Sequence, residues 1–344
     1  SHDGPPVRAW APRTRRPRVP TVAASEPMSV VAAGRADDPM RTALQGSARR
    51  RRKERLVRTL LGAAAAASVV ISVSIVLALA VRALRFLADV QLGALWSGVW
   101  RPRQGQFDLP SLFFGSLVVT GIAMVVATPL GLGAAAYLSE YARPRARRVL
   151  KPIVETLAGI PSVVIGFFAL NVINPYVVQG VFGATNSFTM MAAGIGVGIL
   201  TIPLVASVAE DALFAVPTAL REAAYGIGAR RRSVTLRVVF PAAVSGIAAA
   251  LILGISRALG ETMVVAIAAG ATGNASRTLD PLEPNQTLTA AIASLAIGSD
   301  QVRTRGSGLN AFEALYLVGL ILFAFTLLLN LVSERFVRRY RRAY

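Results

Sequence analysis

Residues 210–241 read EDALFAVPTALREAAYGIGARRRSVTLRVVFP. Pro217 suits the first turn of a short helix, where its missing N–H would find no partner in any case. Leu220, Ala223 and Ala224 can then line one face, with Arg221 and Glu222 beside it. Gly226 and Gly228 break the helix and permit a sharp turn. Arg230, Arg231, Arg232 and Arg237 make the remainder basic, and Pro241 closes the stretch. Both flanks are strongly apolar. The stretch is therefore expected to be a short rigid knob between two membrane spans, shaped to dock into a groove on a partner. An ordinary amphipathic surface helix is the plainer alternative.

Working outward, six apolar stretches lie near 57–81, 112–138, 152–174, 189–210, 241–269 and 310–333. Each is long enough to cross roughly 30 Å of hydrocarbon at about 1.5 Å per residue. Composition agrees. Of 344 residues, 54% are hydrophobic and only 16% charged, against roughly 25% charged in soluble domains. An all-α integral membrane fold with six transmembrane helices is expected.

The net charge is +19, so the few charges are mostly basic. They concentrate before the first span (Arg49 to Arg58), in the connections 139–151 and 211–240, and after the sixth span (Arg335 to Arg342). These segments share one side of a six-span chain, and excess Lys and Arg marks that side as cytoplasmic. Both termini are then cytoplasmic, with outer loops at about 82–111 and 271–309. Trp96 and Trp100, in the first outer loop, fit either a short interfacial helix or the core of a loop subdomain. Residues 287–298 are apolar but too short to span, and suit a half-helix near the outer mouth. Residues 1–48, rich in Pro, Arg, Ala and Ser without apolar period, read as a disordered basic tail ahead of a six-span domain at 49–344. The tail has no hydrophobic region of a secretory signal peptide. It reads as solvated, with no nucleic acid expected.

Chemistry is bounded by what is missing. There is no cysteine, and the single histidine is His2. That leaves no thiolate or internal imidazole for a metal, a triad or a proton relay, and no metal site or catalytic residue is expected. Lys53 and Lys151, the only lysines, do not follow glycine, so no phosphate-binding Gly-Lys-Ser/Thr loop exists. Powered transport would need a separate ATPase.

Inside the fifth apolar stretch sit Arg257 and Glu261, four residues apart and so on one helix face. A lone arginine at bilayer depth costs at least about 2.5 kcal/mol, so Arg257 must face protein or water. A structural ion pair with Glu261 and a role in an anion path both remain open, since guanidinium matches phosphate-type oxyanions. Pro129, Pro161 and Pro203 each interrupt a different span, as hinges with freed polar groups such as Ser162 nearby, or as static kinks. Lys151 and Glu155 are spaced for a local ion pair. Gly194, Gly196, Gly198 and Gly246 allow close helix contact, within the chain or with another subunit.

The knob carries a resemblance. Glu222, Ala223, Ala224, Gly228 and Pro241 match the spacing of the Glu-Ala-Ala loop of bacterial ABC importer permeases, with Val238 and Phe240 as mild apolar departures. In that family the loop is the coupling helix that sits in a cleft of the ATPase. Residues 129–141 (PLGLGAAAYLSEY), 155–168 (ETLAGIPSVVIGFF) and 257–263 (RALGETM), together with EDAL and the following VP (Glu210 to Pro217), resemble phosphate importer permeases of the PstC type over roughly residues 90 to 340. Ser256 stands where glycine is expected, which bears on helix packing there. The resemblance implies a bacterial cell-membrane permease of importer type I. It implies Arg257 and Glu261 on the phosphate path and Arg221 within the ATPase-coupling loop; Thr262 and Ser162, adjacent in sequence to Glu261 and Pro161, are further candidates for the path. The implied partners are a PstA-type second permease, a dimeric PstB-type ATPase that binds ATP and magnesium, a PstS-type extracytoplasmic phosphate-binding protein, and the lipid bilayer. No cofactor is implied in this chain. A permease for sulfate or molybdate, or a membrane sensor or scaffold without transport, are the competing readings.

Overall fold

A computed structural model describes residues 48–271, 273–297 and 311–340. The tail expected over 1–48 lies outside them save for Ala48, as does the later part of the second outer loop. Helix α1 (Ala48–Asp89) carries the first apolar stretch and continues well past residue 81. Its described residues up to Ser68 belong to one unit, and Val69–Tyr344 forms a second. Leu60, Leu61, Val69, Val70 and Ile71 are exposed around α1, as suits a helix whose solvent is lipid.

A tight turn (Leu92–Trp96) leads into strand β1 (Val99–Arg101), a second turn (Pro102–Gln104) and strand β2 (Gln106–Phe107). Helix α2 (Leu109–Tyr141) follows, then α3 (Pro144–Leu157), α4 (Ser162–Phe182) and α5 (Met190–Phe214). Next come the short α6 (Thr218–Gly226), α7 (Arg231–Ala242) and α8 (Val244–Gly260). Helix α9 (Met263–Val265) runs on through a π turn at Ala266–Gly270. Strand β3 (Ala275–Ser276), α10 (Leu288–Ile297) and α11 (Ala314–Tyr340) complete the described chain.

Among the described residues five helices are long and apolar enough to cross a membrane, and six crossings result if α7 and α8, bent by 74°, count as one. The helical polytopic architecture is as expected, but two boundaries are not. The third span does not run from 152. Residues 144–157 form a separate amphipathic helix with nothing buried, because Arg145, Arg148, Lys151 and Glu155 recur at helical spacing and Gly159 and Pro161 stop it. The fifth span is not one helix over 241–269 either. It turns at Ala243 and unwinds again at Glu261.

The core of the span bundle is α2 packed along α5, with α4, α8 and α9 around them. Gly194 and Gly198 of α5 stand one turn apart, and a Cβ there would lie 2.6 Å from Ile122 and 2.8 Å from Val126 of α2. Without a hydrophobic drive between helices in lipid, such close contact supplies the attraction. These glycines therefore pack inside the chain. At Gly254 a Cβ would reach Val205 at 2.9 Å, which brings α8 equally close to α5.

At one end of the bundle, β2, β1 and β3 make an antiparallel sheet with Trp100 opposite Phe107 and Ala275. Trp100 is fully buried and packs edge-on to Phe107, which packs edge-on to Phe86 of α1. Trp96 is exposed, so the two tryptophans divide between the two readings. Asp108 locks this sheet to α2. It accepts Arg277 Nε at 3.0 Å and Nη2 at 2.6 Å, the Gly98 N–H at 3.0 Å, and the Ser111 N–H at the helix N-terminus. Burial would raise its pKa, but Arg277, Ser111 and Gly98 together hold it down from 3.8 to about 2. Because the folded value is depressed, the stabilisation is full above about pH 4 and is lost as pH falls from 3.8 towards 2. The shift corresponds to about 2 kcal/mol at neutral pH. In Asp108→Asn the environment of Trp100 should loosen at lower temperature. The acid sensitivity of Trp100 emission between pH 4 and 2, present in the native chain, should disappear. Unchanged melting would show that the carboxylate is not the lock.

Candidate functional site

The break between α8 and α9 holds the first group of candidates. Glu261 leaves helical space at φ −71° and ψ 125°, so α8 ends at Gly260. Arg257 and Glu261 consequently do not share a helix face, and no ion pair joins them. Glu261 is nearly buried, and its Oε1 accepts the Val264 N–H at 3.4 Å. The carboxylate thus sits at the N-terminus of α9, where free N–H groups and the helix dipole favour negative charge. Its backbone carbonyl accepts Thr289 Oγ1 of α10 at 2.8 Å, and Thr262 Oγ1 donates to the Gly260 carbonyl at 3.3 Å. The unwound backbone is satisfied by neighbours, as non-helical chain at membrane depth requires.

Arg257 lies exposed on the last turn of α8, with no ion pair or hydrogen-bond partner among the described residues. A bare guanidinium is costly in hydrocarbon, so this face meets water or another protein. The adjacent Ser256 donates to Asn330 Oδ1 of α11 at 3.2 Å, which gives the serine a packing role where glycine was expected. Ser162 opens α4. One turn later a Cβ on Gly166 would lie 3.3 Å from the Met263 carbonyl and 3.0 Å from Ile267. The first turn of α4 therefore runs beside the break.

The second group is the knob, at the opposite end of the chain fold from the sheet. Pro217 is the cap residue before α6 rather than part of its first turn. Ala224 is buried against Ala135, Leu213 and Val234, whereas Leu220, Glu222 and Ala223 are exposed. The single lined face expected from the sequence thus divides into an inner and an outer side. Leu220, Tyr225 and Ile227 project outward, Ile227 with 87% of its surface open. The spacing of the motif glycine has a local cause. The Gly228 N–H bonds the Tyr225 carbonyl at 2.9 Å and the Ala229 N–H bonds the Ala224 carbonyl at 3.1 Å, which is a Schellman closure. Gly228 has φ +81°, a region that costs an ordinary side chain about 1–2 kcal/mol. Gly228→Ala should loosen α6 by about that amount, seen as faster amide exchange at Ala229. Unaltered exchange would count against the strain.

Arg221 rivets the knob. It donates to the carbonyls of Leu213 (2.8 Å) and Val216 at the end of α5, and pairs with Glu140 Oε1 at 2.9 Å at the end of α2. Glu140 is nearly buried, its carbonyl accepts Arg231, and Arg231 lies 5.0 Å over the Tyr141 ring. Pro241 stands at the α7–α8 corner, one residue of helix before Ala243 turns to φ −91° and ψ 4°.

Beside the knob, fully buried Glu210 of α5 receives Arg147 at 2.7 Å and Lys151 at 3.2 Å, both from α3, and Lys151 also reaches Asp211 at 3.0 Å. Burial would lower the Lys151 pKa, but Asp211 and Glu210 hold it above the ordinary lysine value. The local pair expected between Lys151 and Glu155 is therefore replaced by a longer-range one. Glu140, Glu210 and Asp108 were missed as structural anchors. Their one signal was a carboxylate at the end of an apolar run, which demands a partner without naming it. Of the three prolines, Pro129 and Pro203 lie inside α2 and α5, which run unbroken through them, so each only withholds one backbone N–H. Pro161 instead caps the start of α4, so it removes no helix hydrogen bond.

Comparison with known proteins adds a frame to this geometry. Residues 127–342 match the family model described as binding-protein-dependent transport system inner membrane component. A probable ABC transporter permease protein, YqgH, of Bacillus subtilis (strain 168) is 33% identical over 289 residues, covering 81% of this chain and 90% of its own. The phosphate transport system permease protein PstC of Mesorhizobium japonicum is 32% identical over 263 residues, covering 71% of this chain and 78% of its own. A solved MetNI methionine ABC transporter in an inward-facing conformation aligns with TM-score 0.49 and 19% identity over 67% of this chain and 93% of that one.

Proposed function

The chain belongs to the binding-protein-dependent transport system inner membrane components, and on that premise we propose that it is a permease subunit of an ATP-driven inorganic phosphate importer. Relatives named as phosphate transport permeases support the substrate. The observation that carries it to particular atoms is Arg257, without a partner among the described residues, on the turn before an unwound segment. Its five donors match a tetrahedral oxyanion. With Glu261 engaged in capping α9, the guanidinium is free to bind transiently, and exposure to water keeps the well shallow enough for release. Thr262 and Ser162 flank the same break.

In this reading the knob and both termini face the cytoplasm, in keeping with the basic segments, and the sheet faces outward. The exposed Leu220, Tyr225 and Ile227 dock into a dimeric ATPase of the PstB type, which binds ATP and magnesium. This chain binds no cofactor and hydrolyses nothing. A PstA-type permease supplies the other half of the path, and a PstS-type protein delivers phosphate. Because Arg221 ties α6 to the ends of both α2 and α5, closure of the ATPases would move those packed helices as one body rather than bend the loop.

ATP-driven uptake of labelled phosphate into vesicles bearing the complete complex, with sulfate as competitor, tests the reading. Phosphate uptake that sulfate does not suppress is expected. An intact complex that hydrolyses ATP and moves sulfate or molybdate instead would overturn the substrate and leave the family. ATP hydrolysis without any flux would favour a sensor or scaffold.

A further inference from the structure

At the sheet end, Arg101, Arg103, Gln104, Asn274 and Ser294 line a cavity of about 360 Å³. Among the described residues no acidic side chain lines it. Asp108, the acid nearest in sequence, is held by Arg277. Arg101 donates its Nε to Asn274 Oδ1 at 3.0 Å, which orients the guanidinium. Its two terminal nitrogens have no partner among the described residues, and Arg103 is exposed with none. The backbone beneath them is rigid. Strand β1 pairs on both edges, Trp100 and Pro102 are buried, and Gly105 (φ +76°) closes the turn by bonding the Pro102 carbonyl at 3.1 Å. Two arginines thus sit two residues apart on a fixed turn, with free donors and no counter-charge among the described residues.

Two elements that line the cavity also reach the break. Ala271, which follows the π turn of α9, lines it, as does Ser294 of α10. The other end of α9 is the Glu261 segment, and Thr289 of α10 bonds the Glu261 carbonyl. Ser294 lies five residues beyond Thr289, about 7.5 Å along a helix. Two short helices therefore span from the cavity to the level of the break.

We propose that this cavity is an oxyanion-receiving site, which takes a phosphate-type dianion before it reaches Arg257. This rests on the reading of the chain as a phosphate permease. Paired arginines at a mouth raise the local anion concentration, and their exposure keeps binding reversible.

The test uses the complete reconstituted complex, with the phosphate-binding protein supplied, and labelled inorganic phosphate and, in parallel, labelled sulfate. In the double variant Arg101→Gln/Arg103→Gln, equilibrium binding of the transported anion should weaken about tenfold. The apparent KM of uptake should rise to match, with the maximal rate within twofold of native. Arg103→Gln alone, at an exposed position with no hydrogen bond or ion pair among the described residues, should show about a threefold effect and guards against misfolding. The native KM should rise with salt, and that of the double variant should not. Native-like anion binding in both variants would overturn the proposal, as would loss confined to capture of the phosphate-binding protein. If the native complex binds and moves sulfate but not phosphate, the substrate assignment fails, and the same comparison made with sulfate still decides the cavity.

Discussion

Arg257→Ala is expected to lower ATP-driven phosphate uptake by about two orders of magnitude or more while the complex still assembles. Hydrogen bonds to charged groups contribute about 1.5–3 kcal/mol each, and a guanidinium fork makes two to one oxyanion. Losing both therefore removes roughly 3–6 kcal/mol, at about 1.4 kcal/mol per tenfold. The fold should not suffer, because Arg257 has no partner among the described residues and its removal strands no buried group. The measurement is uptake against assembly, with ATP hydrolysis followed alongside. Normal uptake would dismiss Arg257 from the path. A complex that fails to assemble would show that its exposed face is an interface. Glu261→Gln should behave differently. The amide oxygen still accepts the Val264 N–H, so α9 keeps most of its cap, and the effect on uptake should be smaller than that of Arg257→Ala.

Arg221→Ala should uncouple hydrolysis from transport. The substitution leaves Glu140 nearly buried without its cation and opens the Leu213 and Val216 carbonyls at the end of α5. Removing one partner of a buried ion pair costs about 3–5 kcal/mol, here spent where α6 joins α2 and α5. ATP hydrolysis should continue while phosphate moved per ATP falls severalfold, and amides of α6 should exchange faster. The double change Arg221→Ala/Glu140→Ala should recover part of the lost protection, since no charge is then stranded. Tight coupling in the single variant would mean that the knob transmits force without this rivet.

Much of the fold is legible in local chemistry. Apolar runs of membrane length, interrupted by basic segments, define a polytopic helical chain, because hydrocarbon tolerates only a satisfied backbone. The knob is equally local. Pro217 before it and Gly228 after it set its ends, and the glycine spacing follows from one Schellman closure. The boundaries that fail do so where local signals compete. Lys151 and Glu155 interrupt an apolar run that Pro161 then restarts, so α3 separates from α4. RALGETM reads as continuous helix, yet the chain unwinds at Glu261 because its carboxylate caps α9 and Thr289 holds its carbonyl.

Residue types along the chain thus suffice for the helical membrane class and the short knob. Pairing is another matter. Arg221 with Glu140, Lys151 with Glu210 and Asp211, and Asp108 with Arg277 join residues 59 or more positions apart. A buried charge announces that it must have a partner, but the choice depends on which helix ends meet. That meeting is set by close packing of α2, α5 and α8 through glycines whose neighbours no local pattern specifies.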